Sequence, residues 1–331
     1  MVSLFRTLRV PVPFAALVVL AAGVVVSTAL GIDDLSMRAA QPWALPQAPI
    51  ARWLAGWLYP AFAMAPVLSL IATQIVVVLA SLSINQRWLD LRMTDRGPAL
   101  VPSLLIFLVL NLAVQSRFFG PDALAFALFV PAMIMTTSLD GSRRADARIF
   151  RIGLLWSLAA LVHHPALLWG LALVPGLVLY TTLIARRWVF LLMGMSLPWI
   201  YLLSALYLLD RPIAFPAFAE QMAVAWRTPS WPVAAAVLFV ALPGLVAVAL
   251  GAARWRRAER TFFRFVLWVL VAGAGILILD PLAAHVALLA VGIVFTKWAA
   301  GVRRTRAVDA IVLSLMCAIA LFPWWPGGPP L

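Results

Sequence analysis

Apolar runs of about 20 residues recur along the whole chain, and its charges are confined to the short gaps between them. As a helix, a run of that length crosses roughly 30 Å, the thickness of a bilayer's hydrocarbon core. A soluble fold built from so many runs could not cover itself with polar surface. Hydrophobic residues make up 65% of the 331, and charged residues only 11%, against roughly 25% in a soluble domain. The chain therefore reads as an all-α, polytopic integral membrane helix bundle. It is taken as one transmembrane domain over residues 1–331 with almost no soluble part.

The hydropathy pattern predicts eleven membrane-spanning segments, at about 10–31, 61–84, 99–115, 122–138, 152–164, 166–185, 188–209, 231–251, 265–280, 281–297 and 307–323. The first run is longer than the apolar region of a signal peptide, roughly 7–15 residues, and is read as a retained span. In the first outer loop Ile50, Trp53, Leu54, Trp57 and Leu58 recur at helical spacing. That predicts a short amphipathic helix over 48–59, ending before Pro60 and lying in the membrane interface. The segments 152–164 and 281–297 are short and adjoin Pro165 and Pro281, which predicts half-helices or bent spans.

The net charge of +13 raises nucleic-acid binding, but the basic residues sit in clusters between apolar runs, as in cytoplasmic loops. With the amino terminus inside, the inner segments hold Arg6 and Arg9; Arg87, Arg92 and Arg96; Arg143, Arg144, Arg148 and Arg151; and Arg186 and Arg187. They also hold Arg254, Arg256, Arg257, Arg260 and Arg264, then Lys297, Arg303, Arg304 and Arg306. The outer segments keep Arg38, Arg52, Arg117, Arg211 and Arg227. This asymmetry predicts a multi-pass membrane protein with its amino terminus cytoplasmic and its carboxyl terminus on the outer side, in contact with lipid and not with nucleic acid. Tryptophans such as Trp43, Trp53 and Trp57 outside, and Trp88, Trp188, Trp255 and Trp298 inside, read as interfacial belts. The single cysteine, Cys317, excludes an internal disulfide.

Ionisable groups at membrane depth are costly, so the polar minority is where function is sought. The inner acids Asp90, Asp95, Asp140, Asp146, Glu259 and Asp309 lie among arginines and read as loop charges or caps. On the outer side, Asp33-Asp34 closes the first span, either as a solvated helix end or as a surface carboxylate serving as base or cation ligand. Asp122, after Gly120-Pro121, reads either as a first-turn acid favoured by the helix dipole or as a second functional acid. His163-His164-Pro165 forms a tight outer turn; adjacent histidines diverge on a helix and make poor joint metal ligands, so a polar or phosphate-contacting turn is expected. Asp280-Pro281 and His285 read as a structural pair across a helix start. Walker A, GxGxxG, GxSxG, HExxH and CxxC motifs are all missing, which removes ATP-driven, dinucleotide, serine-hydrolase and zinc-protease readings.

The order of several stretches carries a family resemblance. Gly120-Pro-Asp-Ala-Leu-Ala-Phe-Ala-Leu-Phe leads to a basic loop ending at Arg151, then Gly153-Leu-Leu-Trp-Ser, His163-His164-Pro165, Val174-Pro175-Gly176 and Leu197-Pro198-Trp199. Together with Asp33-Asp34 and the interfacial helix, this resembles the transmembrane module of GT-C glycosyltransferases over about residues 10–210, followed by further spans at about 231–323. The Asp-x-Asp signature of some members is missing, and His164 stands where a lysine often precedes the proline. Through Thr73-Gln74-Ile75-Val76-Val77-Val78 and Asn85 the chain is also similar to a group of multi-pass membrane proteins of Bacteroidota without an assigned activity.

The GT-C resemblance implies a polyprenyl-phosphate-linked sugar as donor at the outer membrane face. Its phosphate would lie near Arg38, Arg52, Arg117 or Arg211, with His163 and His164 close by. Asp34 or Asp33 would deprotonate the acceptor, with Asp122 as a second acid or a ligand of a divalent cation. Two other classes remain open at this point. An accessory subunit of a larger envelope or energy-converting complex would use its spans as packing surface for partner membrane subunits. A secondary transporter would want polar residues in broken helices at mid-membrane, for which Ser157, Ser196 and Ser204 are the candidates.

Overall fold

The structure is a computed structural model that describes residues 12–31, 35–43, 48–91, 93, 101–112, 117–139, 144–181, 185–210, 255–279 and 284–301, with isolated helical residues at 241–242, 245–246, 313 and 316. Eleven α-helices run through the described residues and no strand occurs among them. They are α1 (Val12–Gly31), α2 (Leu35–Ala40), α3 (Pro49–Met64), α4 (Pro66–Asp90), α5 (Val101–Leu110), α6 (Pro121–Thr137), α7 (Arg144–Val162), α8 (Ala166–Tyr180), α9 (Ala185–Leu208), α10 (Arg257–Leu279) and α11 (Ala284–Gly301), with a 3-10 turn at Gln41–Trp43. Pro49, Pro66 and Pro121 each open a helix, where a missing N–H costs nothing.

Three helices are long and apolar enough to cross a membrane: α4, α9 and most of α10, Arg257–Leu277. Shorter apolar helices lie at Leu17–Leu30, Pro121–Thr137, Ala166–Tyr180 and Ala284–Ala299. Their outward faces carry bare aliphatic side chains, among them Val19 and Leu30 on α1, Ile75 and Leu79 on α4, and Leu192 and Ile200 on α9. A surface of that kind suits lipid chains, not water.

The interior follows from side-chain pattern. Helices apolar on every side belong in the middle. Leu105, Ile106, Phe107 and Val109 of α5, and Val286, Leu289, Ala290 and Val294 of α11, are all fully buried. Gly292 lets α11 lie against the backbone of Ile106 on α5, and Gly273 brings α10 equally close to Ala287 of α11. The closest crossing joins α7 to α9. A β-carbon on Gly153 would collide with the Leu191 carbonyl, and one on Gly194 with the Phe150 carbonyl. Small residues that admit backbone contact are how helices gain packing energy where both compete with lipid.

Two ends of the bundle can be told apart. Helices α4 and α6 run parallel: the Phe119 N–H donates to Ser69 Oγ at 2.8 Å near their starts. Near their ends Arg87 donates to Thr137 Oγ1 at 3.0 Å. The first is the Asp122 end, the second the Asp146 end. At the Asp146 end the charges meet partners, since Asp146 holds Arg186 at 2.8 Å and Arg187 at 3.7 Å. There Lys297 bonds to Glu259 and sits over the Trp255 ring, 4.9 Å from its centroid.

Several expectations move. Segments 152–164 and 281–297 are not half-helices: α7 has 19 residues and α11 has 18. Helix α7 begins at Arg144, with polar side chains in its first turns that an apolar window excludes. The helix predicted to stop before Pro60 runs through it to Met64, and the break falls at Ala65, φ −134° and ψ 73°. Pro60 removes only the bond to the Gly56 carbonyl, and both residues are exposed, so polar surroundings replace it. Trp43 and Trp88 are buried in the core and are not belt residues, whereas Trp53 and Trp57 are about two-thirds exposed, at 68% and 70%. The predicted spans 231–251 and 307–323, with Cys317, fall almost wholly outside the described residues.

Candidate functional site at the Asp122 end

Helix α2, the 3-10 turn and α3 form a roof over the starts of α4 and α6. Trp43 anchors it, donating its indole N–H to the Phe119 carbonyl at 2.6 Å. The Phe119 ring lies 6.1 Å from both the Trp43 and Phe62 rings. Ala39, Ala40, Ala51 and Phe62 face inward, while Trp53, Trp57 and Met64 face out. The amphipathic spacing in the sequence therefore marks the roof's outer face.

Beneath this roof the chain buries three ionisable side chains it had every reason to leave at the surface. Arg117, Asp122 and His164 keep 2%, 4% and 2% of their exposure. Arg117 donates to Thr28 Oγ1 at 3.0 Å, tying the loop before α6 to the last turn of α1. Burial pulls its guanidinium down to about 10, so it stays protonated at neutral pH. Asp122 opens the first turn of α6 and folds back over Gly120, where any β-carbon would strike its Oδ1 or Pro42.

His164 sits in the turn that joins α7 to α8, which closes through backbone bonds from Ala166 to His163 and from Leu167 to His164. Its pKa is lowered to about 4, first by burial and then by His163 and Arg52. His164 is therefore a neutral imidazole at physiological pH. His163 faces the other way, 5.7 Å from the Trp169 ring, as expected for adjacent residues. Arg52 stands on the exposed side of α3, close enough to His164 to act on it electrostatically.

The structure thus draws Arg52, Arg117, Asp122, His163 and His164 to one end of the bundle. Arg38 lies on α2, in the roof, with its side chain outside the described residues, as are Asp33, Asp34 and Arg211 entirely. Asp33 and Asp34 belong to the connection 32–34 between α1 and α2. Among the described residues no group of three His, Cys, Asp or Glu side chains converges as a metal cage.

Sequence reasoning passed over two buried amides. Gln74 donates to Asn111 Oδ1 at 2.8 Å, and Asn111 donates on to the Phe107 carbonyl at 3.0 Å. Gln74 Oε1 meets no partner among the described residues. A glutamine inside an apolar run was the available signal, since burying an amide is costly. His285 stacks on Phe126 at 5.1 Å and 25°, and the Asp280 with which it was expected to pair lies outside the described residues.

Compared with protein-family models, with curated proteins and with solved structures, the chain matches none.

Proposed function

We propose that this chain is a multi-pass inner-membrane transferase of the GT-C type, which draws a polyprenyl-phosphate-linked sugar into the Asp122 end on the outer membrane face. The observation that carries this reading is the burial of Arg117, Asp122 and His164 under the α2–α3 roof. Ionisable groups at such depth are costly to bury even when partnered, and they mark functional sites by default. Arg117 and Arg52 supply positive charge for a phosphate, and neutral His164 can donate or accept one hydrogen bond. Asp122 is the second acid, and Asp33 or Asp34 is the base. The arginine asymmetry orients the bundle, with the amino terminus in the cytoplasm, the carboxyl terminus in the periplasm and eleven spans in all.

The test is purification of the full chain from native membranes, followed by mass spectrometry of bound lipid. A co-purifying polyprenyl phosphate that Asp122→Asn loses supports the transferase. Its absence from wild type, with stoichiometric partner subunits instead, supports the accessory reading. One observation favours that second reading: α9 packs chiefly on α7 and leaves Leu192, Ile200, Tyr201, Tyr207 and Leu208 exposed. A partner helix is as good a cover for that face as lipid.

A further inference from the structure

His285 opens α11, in the C-terminal part of the chain beyond the stretch that resembles the GT-C module. It is 2% exposed, and its Nδ1 is buried without a hydrogen-bond partner among the described residues. An imidazole in that position is expensive unless something polar meets it, because burying an unbonded polar atom is disfavoured. Aliphatic packing could have been achieved by leucine, as at Leu288 and Leu289 on the same helix.

Its location says what could meet it. The ring stacks on Phe126 of α6, 5.1 Å between centroids. Phe126 follows Asp122 by four residues, so both lie on one face of α6. Helical side chains lean toward the amino-terminal end, so the Phe126 ring covers the turn that carries Asp122. A ring stacked on Phe126 therefore lies at the Asp122 end of α6, beside the turn that follows Asp122. The α10–α11 pair is fixed there by Gly273 against Ala287, and α11 by Gly292 against Ile106.

We propose that α11 completes the Asp122 site and that His285 is a positioning residue of it, its open ring nitrogen hydrogen-bonding to the polar group that Asp122 holds. This rests on the reading of the Asp122 end as a binding site, and it assigns the C-terminal helices a part in binding as well as packing. The polar group is a phosphate or hydroxyl oxygen of the ligand, or a water that stands in for it when the site is empty.

Two measurements on the full chain in lipid nanodiscs test it. With only three histidines in the sequence, ring-nitrogen NMR of histidine-labelled protein resolves each, and His285→Phe identifies its signal. Asp122→Asn is expected to shift the His285 signal, while Asp146→Asn leaves it in place. An unmoved His285 signal in Asp122→Asn protein overturns the proposal. Binding of a polyprenyl phosphate is expected to weaken about tenfold in His285→Phe, which keeps the stack on Phe126 but has no ring nitrogen, and to recover largely in His285→Gln. Equal affinity of wild type and His285→Phe, at unchanged thermal stability, also overturns it. Wild type that binds no polyprenyl phosphate sinks the transferase reading, and the NMR comparison then still decides the role of His285.

Discussion

The two ends of the bundle bury their charges to different depths. At the Asp146 end acids and bases neutralise one another in half-buried pairs, with only Arg186 well exposed: Asp146 holds Arg186 and Arg187, and Glu259 holds Lys297. Arg87 and Arg148 cap the Thr137 and Ser138 carbonyls at the close of α6. At the Asp122 end Arg117, Asp122 and His164 are buried beneath a roof that has to be held down by Trp43. Half-buried ion pairs at helix ends keep some contact with solvent, whereas fully buried ionisable groups cost stability, which is the ground for seeking function among them. On the transferase reading proposed above, the contrast gives structure to one end and chemistry to the other.

The largest expected effect is at the chemical end. Asp122→Asn should lower sugar transfer by roughly 10²–10⁴-fold if the carboxyl acts as acid or base, while Asp146→Asn stays within about twofold of wild type. Transfer of a labelled sugar from lipid-linked donor to acceptor in nanodiscs measures both. Equal losses at the two ends would erase the contrast.

Next comes a purely architectural change. Gly194→Leu puts a side chain into the Phe150 backbone, so α7 and α9 must part, at a cost of about 3 kcal/mol. Because α9 packs chiefly on α7 among the described helices, reversible unfolding in mixed micelles should show it detaching first.

A smaller loss is expected at the buried amides. Gln74→Leu strands Asn111 Oδ1 and should cost about 2 kcal/mol, whereas the double change with Asn111→Leu should cost less than the sum of the singles. A double-mutant cycle on unfolding free energy reads this out, and strict additivity would mean the pair is not coupled.

Acid should act on the Asp122 end through His164. Its folded pKa of about 4 lies below the ordinary 6.5, so the unfolded chain binds the extra proton first. The stability this neutral imidazole contributes is present above pH 6.5 and is lost as pH falls toward 4. Melting temperatures across that window should fall less in His164→Gln than in wild type.

The smallest effect belongs to the Asp146 end, where Asp146→Asn should cost about 1 kcal/mol in unfolding free energy: Arg186 is 69% exposed, and the amide oxygen still accepts from the half-buried Arg187.

Much of the architecture was legible in the sequence because membrane helices declare themselves by length and hydropathy. Nine of the eleven expected segments coincide with described helices, from Val12–Gly31 to Ala284–Gly301. The misjudged limits share one cause: apolarity measures what meets lipid, but hydrogen bonding decides where a helix ends. Hence α7 reaches back to Arg144, and α3 passes through Pro60. At the site, Asp122 and Arg117 stood out as charges beside long apolar runs, and His164 as part of a rare His-His-Pro turn. Their depth was not legible, since burial under the roof depends on Trp43 reaching Phe119, 76 positions away. The same holds for His285, whose neighbour Phe126 lies on a helix far back in the chain.

The division of labour between the ends is tested most directly by native mass spectrometry of lipid retention. Wild type, Asp122→Asn and Asp146→Asn proteins would each be released from identical nanodiscs containing a polyprenyl phosphate. Retention by wild type and Asp146→Asn, with loss in Asp122→Asn, is the predicted result. Loss in Asp146→Asn with retention in Asp122→Asn would place the ligand at the opposite end and contradict it.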